Sequence, residues 1–273
     1  MFAGLTSVSV GALFVGLFVP GIMLGVGQMC IIAYMARKYG FPKSDVSYTK
    51  KEIVQITLKS LGAIFMVVLI LGGILSGIFT ATEASGIAVV YVILLDLLGA
   101  RRLKLADLWD SLKTTVSGAV SIFLIIGFSS IISWIFAMEN VPLMINNFVI
   151  SSNLSPYLLL FIVNIFFLFN GMWISDSAQL VLFAPIFTPL FTALGVSPLH
   201  FGIVMIVNVM IGMITPPFGV ALYAATSVSG CELKEVVKRS LPFTASCIVV
   251  LFIVTYFAEV VLFVPKLLGY SIF

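Results

Sequence analysis

Apolar positions run through this chain in stretches too long and too evenly hydrophobic for a soluble core. Residues 10–36, 57–79, 82–100, 114–138, 200–228 and 240–262 each read as one helical span, A to F in chain order. Each is close to or above the roughly 20 residues that cross ~30 Å of hydrocarbon. Residues 155–192 are as apolar, but a polar break interrupts them at Asn170-Gly171-Met172-Trp173-Ile174-Ser175-Asp176-Ser177. The arms on either side, 156–170 and 178–191, would each be ~22 Å long at ~1.5 Å per residue, too short to cross but long enough to reach the interior. A second break falls inside span E, where Thr215-Pro216-Pro217 removes two backbone donors and predicts two half-helices.

Composition turns this pattern into a fold class. Hydrophobic residues make up 61% and charged residues 9% of the 273 positions, with a mean hydropathy of +1.23, whereas soluble domains carry about a quarter charged residues. A water-facing surface cannot be built from that, so the chain is expected to be all-α and polytopic. The first basic residue is Arg37, so no basic region precedes span A as it would in a signal peptide, and span A is expected to be a mature helix. Cys30, Cys231 and Cys247 show neither paired nor metal-ligand spacing and read as packing residues.

The positions of the charges set the topology. Of the 14 basic residues, 13 lie in 37–59, 101–113 and 234–239, leaving only Lys266 elsewhere, and all three segments are assigned to the cytoplasm. Between Lys113 and Lys234 the chain must then cross an even number of times, and spans D and E already supply two. Residues 155–192 are therefore expected to enter and leave by the outer face as a re-entrant hairpin, its irregular tip sheltered by protein or a water-filled cavity. Thr6-Ser7-Val8-Ser9 and Thr226-Ser227-Val228-Ser229 each precede a span with an early proline, Pro20 or Pro242. With the loops so placed, span A runs inward and span F outward, the arrangement of an inverted repeat. The expected organisation is 1–36 as the last span of a first repeat, 37–138 as scaffold spans, 139–154 as an interfacial arm, 155–228 as a transport unit with its hairpin (155–192) and broken helix (200–228), and 229–273 as the final span.

Four stretches carry a family resemblance: Gly77-Ile78-Phe79-Thr80-Ala81-Thr82-Glu83-Ala84, the tip Gly171-Met172-Trp173-Ile174-Ser175-Asp176, Ser197-Pro198-Leu199-His200-Phe201-Gly202-Ile203, and Ile211-Gly212-Met213-Ile214-Thr215-Pro216-Pro217-Phe218-Gly219-Val220. Together, in order and spacing, they resemble the large membrane subunit of the tripartite ATP-independent periplasmic (TRAP) transporters. The resemblance implies an inverted-repeat, elevator-type permease of the bacterial inner membrane, coupled to sodium and importing an organic acid such as a C4-dicarboxylate, a sialic acid or a sugar acid. It also implies a small membrane subunit and a periplasmic substrate-binding protein as partners, with no cofactor beyond the coupling ion and no nucleic acid. The family's large subunit has two repeats, each with a hairpin and a broken helix. This sequence holds one such pair, so a separate N-terminal half is a further expected partner. The alternatives are an elevator-type anion transporter that needs no binding protein and an inactive permease half. In the transport reading the 155–192 hairpin and span E move, while spans A, B and C form most of the scaffold.

At the hairpin tip, Ser175, Asp176 and Ser177 place one carboxylate and two hydroxyls at membrane depth, where an ionised carboxylate needs a cation or a dense donor set. Sodium is expected near Ser175, Asp176 and Thr215, with Gly171, Trp173, Gly212, Pro216 and Pro217 along the substrate and ion pathway. Ser175 or Asp176 would serve equally as a helix cap. Thr80 and Glu83 fit a capping box at the start of span C, Asp96 is expected to pair with Arg101 or Arg102, and His200 reads as structural. Residues 104–110 and 141–148 read as short interfacial helices. Trp109 and Trp134 carry no site argument. An enzyme is not expected: neither a Gly-x-Gly-Asp element nor a His-Glu-x-x-His helix is present. A channel would need polarity along several helices rather than at two breaks.

Overall fold

The computed structural model describes residues 1–41, 49–97, 103–151 and 154–272, and every element in them is helical. The chain forms two compact units, one of residues 1–40 with 122–273 and one of residues 41–121. In the second unit, α4 (Lys50–Leu75) and α5 (Ala81–Leu95) pack as neighbours, tied by the Tyr91 hydroxyl donating to the Gly62 carbonyl at 2.9 Å. Both helices start in a capping box. Thr49 and Glu52 open α4, seven residues earlier than the apolar run of span B suggests, and the helix bends by 43° between Leu58 and Ser60. At α5 the expected box is present: Thr80 Oγ1 accepts from Glu83 N–H at 3.3 Å, and a Glu83 carboxylate oxygen accepts from Thr80 N–H at 2.8 Å. Thr80→Val removes that side-chain acceptor and is expected to lower stability by about 1 kcal/mol, read as a small fall in melting temperature. Asp96 accepts from Leu103 N–H at 2.7 Å; its expected partners Arg101 and Arg102 lie outside the described residues.

Three further spans differ from expectation in detail. Span D is the end of one 34-residue helix, α6 (Leu105–Met138), which absorbs the interfacial helix expected at 104–110. Nothing between Asp110 and Thr114 can break a helix, and Asp107 caps the start by accepting from Lys104 N–H at 2.9 Å. The short helix expected at 141–148 is present as α7 (Val141–Ser151). Span F is α12 (Leu233–Tyr256), which ends when Phe257 leaves helical geometry at φ −110°, ψ 76°; the chain then forms α13 (Ala258–Leu267). At ~1.5 Å per residue α12 is already long enough to span, so the apolar residues after it are free to fold back onto neighbours. Span A is one continuous span, Val10–Tyr39, made of α2 (Val10–Gly16) and α3 (Phe18–Tyr39), with helical hydrogen bonds carried across Leu17 and Pro20 harmless in the first turn of α3.

In the first unit α3 and α12 are antiparallel. Near the end of α3, the Tyr39 ring lies 4.7 Å from the Arg239 guanidinium; midway, Gln28 Nε2 donates to Cys247 Sγ at 3.0 Å; before its start, Gly16 abuts Val261 and Pro265 of α13. Spans A and F thus have the opposed directions that the loop charges demand. Within this unit span A packs among α12, α13 and α10 (Pro198–Gly212). The two Thr-Ser-Val-Ser stretches do not lie at equivalent places in the fold. The first straddles the end of α1 (Phe2–Thr6) and the N-cap of α2, whereas the second lies inside α11 (Val220–Ser229). The recurring unit is a helix, a left-handed residue and an N-cap: Ser7 and Ser9 before α2, Gly230 and Glu232 before α12.

Candidate functional site

The hairpin is built by its caps and glycines. Ser155 Oγ accepts from Leu158 N–H, Pro156 opens α8 (Pro156–Gly171), and the chain turns through Met172–Ile174 into α9 (Asp176–Ala193), capped by Ser175 Oγ on Ala178 N–H at 3.4 Å. Phe166 and Phe167 of α8 meet Phe183 and Phe187 of α9 with ring centroids 5.1–5.9 Å apart, closing the two arms on one another. Beside them α10, capped by Ser197 and opened by Pro198, is almost wholly buried.

Helices α8 and α10 run parallel. Asn164 meets Asn208 midway, and the last residue of each helix, Gly171 and Gly212, meets the other. A Cβ on Gly171 would stand 2.7 Å from the Gly212 Cα, and one on Gly212 would stand 2.6 Å from the Gly171 Cα, so only two glycines allow this approach. The tip and the break of span E are therefore one place. Two helices end there, α8 and α10, and two begin, α9 and α11, so the partial negative charge of two C-termini and the partial positive charge of two N-termini converge.

The break at 213–219 is ordered by its own hydrogen bonds. Thr215 Oγ1 donates to Ile211 O at 2.7 Å, Gly219 N–H to Thr215 O at 3.2 Å and Ala221 N–H to Met213 O at 3.2 Å; Pro216 and Pro217 have no N–H to give. Trp173 of the tip and Phe218 of the break lie with ring centroids 4.6 Å apart, both exposed. Ser177 Oγ donates to the partly buried Asp176 carboxylate at 3.4 Å. The structure thus brings Gly171 to Gly212 and Trp173 to the stretch after Pro217, while no hydrogen bond joins Asp176 to Thr215 among the described residues. Of the two proposed caps, Ser175 is the one that caps. His200 is buried and structural: its Nε2 is 2.8 Å from the Val254 carbonyl.

Four polar residues escaped the sequence reading. Asn208 Nδ2 donates to the Asn164 carbonyl at 3.0 Å and to Asn164 Oδ1 at 2.8 Å; Asn164 Nδ2 donates to Thr255 Oγ1 at 2.8 Å; and Thr255 Oγ1 donates to Leu251 O at 2.7 Å. This buried ladder ties hairpin, half-helix and final span together. The fourth, Gln179, is fully buried under the tip, with its Nε2 donating to Ile174 O at 3.2 Å. The signal for all four was an amide or hydroxyl inside an apolar run, which is costly at membrane depth unless it is used. Among the described residues no cluster of three His, Cys, Asp or Glu exists. The oxygens at the junction are one carboxylate, hydroxyls, an amide and helix-end carbonyls, a set that suits a hard cation and not a soft metal.

These features belong to a polytopic membrane protein with one hairpin-and-break junction, and comparison with known proteins identifies the family. The model of the DctM component of the tripartite ATP-independent periplasmic transporters matches residues 1–260, and the chain belongs to that family. It is 35% identical over 271 residues to the C4-dicarboxylate TRAP transporter large permease protein DctM of Pseudomonas aeruginosa, covering 99% of this chain and 63% of that protein. It is 32% identical to the sialic acid TRAP transporter large permease protein SiaM of Vibrio cholerae, over 97% of this chain and 62% of that one. A third relative, the isethionate TRAP transporter permease protein DctMQ of Oleidesulfovibrio alaskensis, is 29% identical over 93% of this chain and 40% of its own length. The chain thus spans less than two thirds of the length of these relatives.

Proposed function

We propose that this chain is the permease component of a sodium-coupled TRAP transporter that imports an organic acid across the bacterial inner membrane by an elevator-type movement of the hairpin and broken helix. The observation that carries the reading is the Gly171–Gly212 junction. Two helix C-termini and the Asp176 carboxylate favour a cation there, while the N-termini of α9 and α11 favour a carboxylate of the substrate. Sodium bound first would fix the two breaks in the geometry that receives the acid. C4-dicarboxylates and sialic acids are the substrate classes to test first, because relatives named for them match nearly the whole chain.

The partners in this reading are a small membrane subunit, a periplasmic substrate-binding protein and a first repeat, carried on the same polypeptide or on a separate one. A face of α3 supports the last of these. Gly21 and Gly25 are exposed, and a Cβ on either would meet nothing within 4 Å. Thr244 stands in α12 where Gly21 stands in α3, counting from the left-handed residues before each span. There Thr244 is buried beneath the break of span E, donating to Ile214 O at 3.3 Å. The open glycine face is shaped to receive the corresponding break of a first repeat, with backbones in close approach.

The test is uptake into liposomes holding this chain with its co-expressed membrane partners. A panel of labelled organic acids is offered under an inward sodium gradient, with and without the binding protein. Uptake that needs both sodium and the binding protein is the expected result. Uptake without the binding protein would favour the simpler anion transporter, and no sodium dependence would contradict the coupling.

A further inference from the structure

One buried group at the junction is left unfinished by the protein. Gln179 is 0% exposed, and its Oε1 has no hydrogen-bond partner. The orientation of the amide is fixed by chemistry: the Ile174 carbonyl, 3.2 Å from Nε2, can only accept, so nitrogen must face it and oxygen must face away. The same nitrogen lies 3.5 Å from where a Cβ on Gly171 would be, which places the amide against the contact between the two helix ends. Asp176 is one turn earlier on the same face of α9. A buried acceptor without a donor is unfavourable, and a bound ion or an ordered water can complete such an atom.

We propose that Gln179 Oε1 is a ligand of the coupling sodium ion, joining the Asp176 carboxylate and carbonyls at the ends of α8 and α10. This rests on the sodium reading above and adds a residue to it. An amide oxygen is a hard, neutral donor, suited to a monovalent cation whose charge one carboxylate already balances. Through Nε2 the same side chain holds the Ile174 carbonyl in the tip, so ion binding and tip geometry share one amide. Gln179 is in this sense both a ligand and a strut, and the two roles separate by mutation.

The experiment is thermal unfolding of the full chain, titrated with sodium chloride against potassium chloride at constant ionic strength, for wild type, Gln179→Leu, Gln179→Glu and Asp176→Ala. Leucine keeps the bulk and loses both roles, and it should raise the sodium concentration needed for half-maximal stabilisation by about tenfold or more. Ionised glutamate keeps an oxygen ligand and has no hydrogen to give to Ile174 O, so with sodium bound it should respond within about threefold of wild type. Melting in potassium alone reports whether each variant is folded. A wild-type sodium response in Gln179→Leu overturns the assignment. Equal loss in the leucine and glutamate variants also overturns it, leaving Gln179 as a strut only. If Asp176→Ala abolishes the response and Gln179→Leu does not, the sodium site stands without Gln179. If wild type shows no response, the site and the assignment fall together.

Discussion

Gly212→Val is expected to lower the melting temperature by several degrees and, on the function proposed above, to abolish uptake. The new Cβ would stand 2.6 Å from the Gly171 Cα and 3.0 Å from its carbonyl carbon. Those are backbone atoms, which cannot rotate away as a side-chain tip can, so α8 and α10 must separate. Overpacking of this kind costs about 1–3 kcal/mol, or roughly 3–10 °C for a chain of this size, and it moves the helix ends that form the candidate ion site. Gly127→Ala is the control. It too replaces a glycine in an apolar helix, but nothing lies within 4 Å of its Cβ position, and alanine there should be neutral or stabilising by up to about 1 kcal/mol. Melting curves and uptake measured on both variants check the pair of outcomes.

The second large effect is expected in the buried amide ladder. Asn208→Leu removes the donor to Asn164 Oδ1 and leaves that buried oxygen without its hydrogen bond. An interhelical hydrogen bond between apolar helices is worth about 1–2 kcal/mol, and an orphaned buried acceptor adds to its loss, so a fall of several degrees in melting temperature is expected. Asn164→Leu should cost as much, since it leaves Asn208 and Thr255 without it. The double variant Asn164→Leu/Asn208→Leu removes the stranded atoms as well, and it should be less destabilised than the two single losses added together. A double-mutant cycle by thermal unfolding measures this coupling; strict additivity would show that the two amides do not act as a unit.

Much of this fold was legible because the membrane penalises what water tolerates. The helix pair was visible as two apolar arms around the polar break Asn170–Ser177, and α8 and α9 occupy 156–171 and 176–193. The break of span E was visible in Thr215-Pro216-Pro217 because two adjacent prolines cannot continue a helical ladder. The Thr80–Glu83 capping box was readable because its bonds are local. What escaped reading depends on tertiary contact. The breaks single out Gly171 and Gly212, but nothing in the sequence says that the two touch, while a Cβ on Gly118 or Gly127 would meet nothing within 4 Å. The turn at Phe257 lies in an apolar run that would serve equally as helix, and only packing of α13 on α2 and α3 ends α12 there. Asn164, Gln179 and Asn208 each looked like one polar residue in an apolar segment until the fold set them against their partners. The two Thr-Ser-Val-Ser stretches, alike in sequence, sit in different local structure, one at the junction of α1 and α2 and the other inside α11, because four residues do not determine their own conformation.

The most direct test of the central claim, that the junction of the two breaks binds the coupling ion, is the thermal stability of this chain in sodium against potassium at equal ionic strength. A ligand that binds only the folded state raises stability with its concentration, by about 2.7 kcal/mol at a hundred times its Kd. Wild type is expected to melt several degrees higher in sodium, and Asp176→Ala is expected to melt alike in both salts. Equal melting of wild type in the two salts, or an undiminished sodium effect in Asp176→Ala, would contradict it.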